Sequence, residues 1–145
     1  MRTRKMKTLE PIIKALVVGA LEDGGRYLFL IRTDSSGLER LELPSCIVYS
    51  GRSPFAEIKA EFQRQTGIEG QVGEIIYEGS VNAGSNKKKN FVPVLVFKII
   101  ARERRANPSS EFSSFKWLDV EAAKQYKIAR NTQWILKTRQ TYEQK

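Results

Sequence analysis

Apolar residues fall into short runs separated by polar turns, and the spacing within each run predicts what it forms. Ile12 to Leu21 (IIKALVVGAL) and Arg26 to Arg32 (RYLFLIR) are apolar runs rich in strand-forming side chains, with Asp23-Gly24-Gly25 between them. Two such runs about a D-G-G turn predict a β-hairpin. Thr33 to Arg40 reads as a polar loop, and Leu41 to Pro44 as a short extended segment stopped by its proline. Ser53-Pro54 opens a helix, with serine as N-cap and proline in the first turn. That helix runs to about Thr66, where Gly67 can take the left-handed cap; Ala56, Ile58 and Phe62 are its expected apolar contacts.

Gln71 to Val81 and Asn90 to Arg102 are the next predicted strands. Pro93 in the second (FVPVLVFKII) predicts an edge position or a bulge. Asn82 to Lys89 (NAGSNKKK) is expected to be a mobile hairpin loop, and Asn107 to Ser110 another loop. Phe115 to Leu118 reads as a short strand and Val120 to Gln125 as a short helix. Ala129 to Tyr142 reads as a terminal helix anchored by Trp134, Ile135 and Tyr142.

Strands interleaved with helices over 145 residues predict an α/β (α+β) fold in one domain, residues 12–142. Residues 1–11 read as a flexible basic leader and 143–145 as a tail. The basic start, Met1 to Lys7, is followed by Thr-Leu-Glu-Pro rather than an apolar core, which argues against a signal peptide. No apolar run approaches the roughly 20 residues of a membrane span, so no membrane partner is expected. Cys46 is the one cysteine, which excludes an internal disulfide and favours a reducing, cytoplasmic location. With no histidine, chemistry that needs an imidazole base, nucleophile or metal ligand is excluded. The 25 Lys and Arg against 16 Asp and Glu give +9, which favours anionic partners or serves solubility alone.

Leu43 to Ile68 (LPSCIVYSGRSPFAEIKAEFQRQTGI) carries the candidate chemistry. Its frame resembles the Nudix box, G-x5-E-x7-R-E-U-x-E-E-x-G-U with U a bulky aliphatic residue. Aligning Gly67-Ile68 with the closing G-U puts Leu43-Pro44 on the family's Leu-Pro and Gly51, Ser53 and Pro54 on its common G-E-S-P. Ser110 to Leu118 (SEFSSFKWL) is similar to a late family segment, and the resemblance spans Ile13 to Leu136. It implies a mixed β-sheet sandwiched between helices, with the site on the box helix and its preceding loop. It also implies glutamates that hold Mg2+ or Mn2+, which neutralise a pyrophosphate and activate a water to cleave it.

The chain departs from that pattern where the acids belong. Cys46 stands at the first box glycine, Arg52 at the first glutamate and Ala60 at the box arginine. Only Glu61 survives of the three helix carboxylates, since the Glu-Glu pair is Arg64-Gln65. A cation beside a divalent ion is repelled, by about 4 kcal/mol per unit-charge pair at 4 Å and an effective dielectric near 20. Mg2+ or Mn2+ is therefore expected only if the protein is active through other acids: Glu61 and Glu111 as catalytic residues, Glu61 and Glu57 as metal ligands. Glu57 also reads as a partner of Arg64 or Lys59, and Glu61 as a partner of Arg64. Alternatively Arg32, Arg52, Ser53 and Arg64 bind an anion directly through guanidinium forks and the helix amino end. Cys46 is expected to reshape its loop and reads as packing rather than as a nucleophile.

Basic clusters at Lys87-Lys88-Lys89, Arg102 to Arg105 and along the last helix have Tyr77, Phe91 and Tyr126 near them in sequence, aromatics able to stack on bases. Three functions stay open: a module binding a nucleotide or other phosphorylated ligand with weak or no hydrolysis, an active Nudix hydrolase with nonstandard ligands, and an RNA- or protein-binding adaptor. A homodimer is a further expectation from the resemblance.

Overall fold

The computed structural model describes residues 14–137; the leader at 1–11, Tyr142 and the 143–145 tail lie outside them. Gly24 and Gly25 both have positive φ (62° and 87°), which a two-residue hairpin turn requires and a side chain resists. They join β1 (Lys14–Asp23) to β2 (Arg26–Thr33), with Glu22 opposite Tyr27 and Asp23 opposite Arg26. Beyond those pairs the strands take different neighbours. β1 runs between β4 (Ser45–Tyr49), antiparallel, and β6 (Phe91–Ile100), parallel, so that Val17 faces Cys46 on one side and Leu95 on the other. β5 (Gln71–Asn82) lies outside β6, antiparallel to it. β2 lies between β3 (Glu39–Glu42) and β7 (Ser114–Leu118), and β8 (Lys127–Ile128) adds a short parallel pair to β3.

The unbroken buried run Leu16 to Leu21 is what a strand covered on both faces should show. Val17 and Leu21 pack with Ile58, Phe62, Phe97 and Ile99 on the face covered by α1 (Pro54–Thr66). Leu16, Val18 and Ala20 pack on the other face with Val94, Trp134 and Ile135. The mixed sheet thus lies between α1 and the C-terminal turns. Gly19 lets α1 approach, since a Cβ there would stand 3.1 Å from Ile99 and 3.2 Å from Phe62. Among the described residues no helix is long and apolar enough to cross a membrane.

Several local expectations change. Ala56 is exposed, and Ile58 and Phe62, with Gln65 and Thr66, form the buried face of α1. β4, containing Cys46, is a strand that turn residues and a β-branched pair did not signal. β6 is an interior strand, and its ladder with β1 begins at Val94. Pro93, opposite Ser80, stands past the end of that ladder, and the irregular register falls in β5 between Val72 and Tyr77. The β5–β6 loop, expected to be mobile, is bonded at its base. Asn82 Oδ1 accepts from the amides of Gly84 and Asn90 at 2.9 Å, while Arg130 Nη1 donates to the carbonyls of Asn82 and Gly84 at 2.8 and 2.9 Å. The second helix, α2 (Val120–Ala123), is shorter than its sequence suggests. The terminal segment starts with a 3-10 turn at Arg130–Thr132.

Candidate functional site

Both ends of α1 are capped as serine and glycine dictate. Ser53 Oγ accepts from the amide of Ala56 at 3.2 Å, and Gly67, at φ 74°, donates its amide to the carbonyl of Gln63 at 2.8 Å. Ser53 is therefore spent on the helix start. The last-turn carbonyls that a helix leaves unpaired take amides from a distant loop: Asn107 donates to Thr66 at 2.7 Å and Ser109 to Gln65 at 3.0 Å. This docking brings Glu111 over the last turn of α1.

Arg64 occupies the space between the two carboxylates. Its Nε donates to Glu61 at 3.2 Å, and its Nη2 and Nη1 donate to the two oxygens of Glu111 at 2.9 and 3.4 Å. Ser109 Oγ adds a 2.7 Å bond to Glu111. Gln65 Nε2, buried, donates at 2.8 Å both to Glu61 Oε1 and to the carbonyl of Ser45. The bonds from Arg64 and Ser109 hold Glu111 well below the usual carboxylate range, at about 2. For Glu61, burial acts to raise the pKa, and the bonds from Arg64 and Gln65 outweigh it, so the net shift is downward. Both acids are anions at neutral pH, and the guanidinium between them is held protonated.

The neighbouring arginines are also paired. Arg52 Nη2 donates to Glu57 at 2.9 Å, so Glu57 serves Arg52 rather than Arg64 or Lys59. Arg32 forks onto Glu42 and lies over the Phe112 ring, 4.8 Å from its centre; the Glu42 bond raises its pKa, with Glu111 close enough to contribute. Cys46 is half-buried, and burial, followed by the charges of Glu61 and Glu57, pushes its thiol up to about 11. It is no nucleophile at neutral pH.

This donor set does not suit a divalent cation. Such an ion needs several oxygen ligands free to turn toward it; here Glu57, Glu61 and Glu111 each face a guanidinium. Among the described residues no group of three Asp, Glu, Cys or His side chains is arranged to share an ion.

A cleft of about 530 Å³ lies on the opposite face of the sheet, against the C-terminal turns. Tyr77 and Trp134, stacked at 5.4 Å and 26°, form one wall, and Phe91, Asn82, Asn86, Asn131 and Arg130 are among the other lining residues. Tyr77 is thus packed on a neighbour rather than free. Tyr126 is partly buried against the core. A smaller hollow of about 310 Å³ beside Leu16 and Ile47 shares Arg130 and Asn131. Cleft and acid cluster meet at Ser45: its hydroxyl accepts from Asn131 Nδ2 at 2.7 Å, and its carbonyl accepts from Gln65. Local sequence gave no sign of Ser45, Ser109 or Asn131. Gln65 could have been found from its i,i+4 spacing to Glu61.

No protein-family model and no curated protein matches the chain. Solved structures do. The E. coli ORF135 protein superposes with a TM-score of 0.71 at 18% identity, over 90% of this chain and 91% of that one. The MutT protein from Methanosarcina mazei gives 0.65 at 23% identity, over 90% and 94%. The NUDIX domain of Shewanella oneidensis NrtR, solved with ADP ribose, gives 0.66 at 14% identity, over 98% and 99%. The order of strands around α1 and these superpositions agree: this chain has the Nudix fold.

Proposed function

We propose that this Nudix-fold chain is a metal-independent binding module for a nucleotide or other phosphorylated small molecule, with weak or no hydrolysis of what it binds. The observation that carries this reading is Arg64 seated between Glu61 and Glu111. A guanidinium there satisfies both carboxylates and repels a second cation, so the box retains its shape without an ion. The active alternative would need Glu57, Glu61 and Glu111 released together from their arginines.

The ligand class follows from two features. Arg32 and Arg52 each carry five N–H donors and spend only part of them on Glu42 and Glu57. The N–H groups left over on Arg52 can donate to a phosphate at the amino end of α1, where the helix dipole also favours an anion; Arg32 stands on the Glu111 side, over Phe112. The cleft beside Tyr77 and Trp134 has the size of a small-molecule site and amide groups able to read a ring edge. ADP ribose, the ligand of the NrtR domain, has both halves.

Thermal-shift and calorimetric titration with ADP ribose and a nucleoside diphosphate panel, in EDTA and then in Mg2+, tests the reading. The expected result is stabilisation of equal size in both buffers, with no product formed. Stabilisation that appears only with Mg2+, or turnover abolished by Glu61→Gln, would overturn it.

A further inference from the structure

We infer that the cleft receives one nucleoside of a single-stranded nucleic acid, whose phosphates run on to the lysine-bearing loop between β5 and β6. This rests on the cleft being nucleoside-holding, as proposed above, and assigns what lies beyond it. Asn86, on the cleft wall, is followed directly by Lys87, Lys88 and Lys89, all exposed. None of the three enters an ion pair among the described residues. Arg130, also on the wall, bonds through Nη1 to two backbone carbonyls and, among the described residues, enters no ion pair. Among the described residues no Asp or Glu lines the cleft.

These cations therefore lack the internal anions that occupy Arg32, Arg52 and Arg64. Lys87, Lys88 and Lys89 follow the wall residue Asn86 but are not part of the cavity lining, so a mononucleotide held there would leave them without a phosphate. Phe91 stands at the junction, 62% exposed although aromatic, with a face open to a second base. A stacking platform followed by a cationic track is what a single strand requires, since bases stack and phosphates pair without sequence readout. The loop can hold this form without ligand: Lys88 donates its amide to Ser85 Oγ at 2.9 Å, and Asn82 and Arg130 close the base.

The test is fluorescence anisotropy with a labelled single-stranded RNA of roughly ten nucleotides, its DNA counterpart and the same sequence as a duplex, with a mononucleotide as competitor. The single strand should bind at least tenfold tighter than the mononucleotide at low salt, and the duplex more weakly, because a stacked base cannot enter the cleft. With about three lysine–phosphate contacts, affinity should fall about 20-fold between about 50 and 200 mM salt. Replacing Lys87, Lys88 and Lys89 by Ala should reduce that dependence to a few-fold and leave mononucleotide binding unchanged; among the described residues these side chains enter no ion pair. RNA bound tighter than DNA points to the ribose hydroxyl as a further contact; equal binding points to base and phosphate alone, and both support the inference. A mononucleotide that binds as well as the strand overturns it while leaving the proposed function standing. If neither binds, the inference fails together with the nucleoside-holding reading of the cleft, while binding of another phosphorylated small molecule stays with the calorimetric test above. Capture on anionic vesicles without strand binding would assign the lysines to a membrane surface and overturn it too.

Discussion

Replacing Arg64 by alanine removes one guanidinium and leaves Glu61 and Glu111 facing each other across the gap it filled. The side chains are partly solvated, at 51%, 30% and 34% exposure, so solvent-screened values apply. Exposed ion pairs contribute about 0.2–1 kcal/mol each, and the forked bond to Glu111 belongs at the upper end. The pair of interactions should therefore contribute about 1–2 kcal/mol, or about 3–7 °C in Tm for a chain of this size. Glu111 makes the loss depend on pH. Its folded pKa of about 2 lies below the ordinary 4.5, so its stabilisation is complete above about pH 4.5 and disappears as pH falls toward 2. Wild type should exceed Arg64→Ala by the full margin at pH 6–7 in about 50 mM salt, with most of the difference lost by about pH 2.5 and the two converging below about pH 2. Calorimetric melting at several pH values measures this, with Arg64→Lys, which keeps the charge and loses the fork, falling between them. A margin that is absent at pH 7, or constant down to pH 2.5, would refute the bridging role.

Three further outcomes follow from the same geometry. Arg64→Glu combined with Gln65→Glu should gain a Mn2+-dependent rise in Tm that the wild type lacks, because two cation-repelling or neutral groups become ligands beside Glu61 and Glu111; no rise would mean the local backbone, not the charge, excludes the ion. Phe62→Ala, at a position 1% exposed, should cost about 3–5 kcal/mol by urea unfolding, and a smaller loss would show that α1 closes the cavity. Cys46, its thiol at about 11, should react with iodoacetamide at pH 8 far more slowly in the folded protein than in urea; equal rates would contradict its burial.

Elements whose causes are local were legible in the sequence. The D-G-G turn, the Ser53 cap with Pro54, and the Gly67 stop each depend on one residue's backbone preferences, and each stands where those preferences put it. Ile58 and Phe62 were legible as the core face of α1 because the helix period selects them. Ala56 was not, since alanine is as content exposed as buried. β4 escaped because its order comes from pairing with β1 at Lys14 to Val18, a contact no local pattern specifies. Pro93 misled for the same reason: a proline reports that one ladder bond is missing, and not which neighbour stops short.

The site shows the limit more sharply. Charge counting along the box found that acids had become Arg52, Arg64 and Gln65, and it suggested guanidiniums open to an anion. The structure pairs Arg52 with Glu57 through one of its donors and closes Arg64 onto Glu61 and Glu111, the latter coming from 47 residues away, carried by a loop whose Asn107 and Ser109 amides close the end of α1. The substitutions act together in three dimensions. Arg64 supplies a cation where the two remaining acids need one, and Gln65 supplies the N–H that turns Glu61 toward it and ties it to Ser45. A random loss of acids would leave Glu61 and Glu111 as unbalanced neighbours and the helix end strained. What is present is a closed set of charges, in which removing any one member exposes the next, and that mutual dependence is the physical reason to regard the Arg64 bridge as a built arrangement.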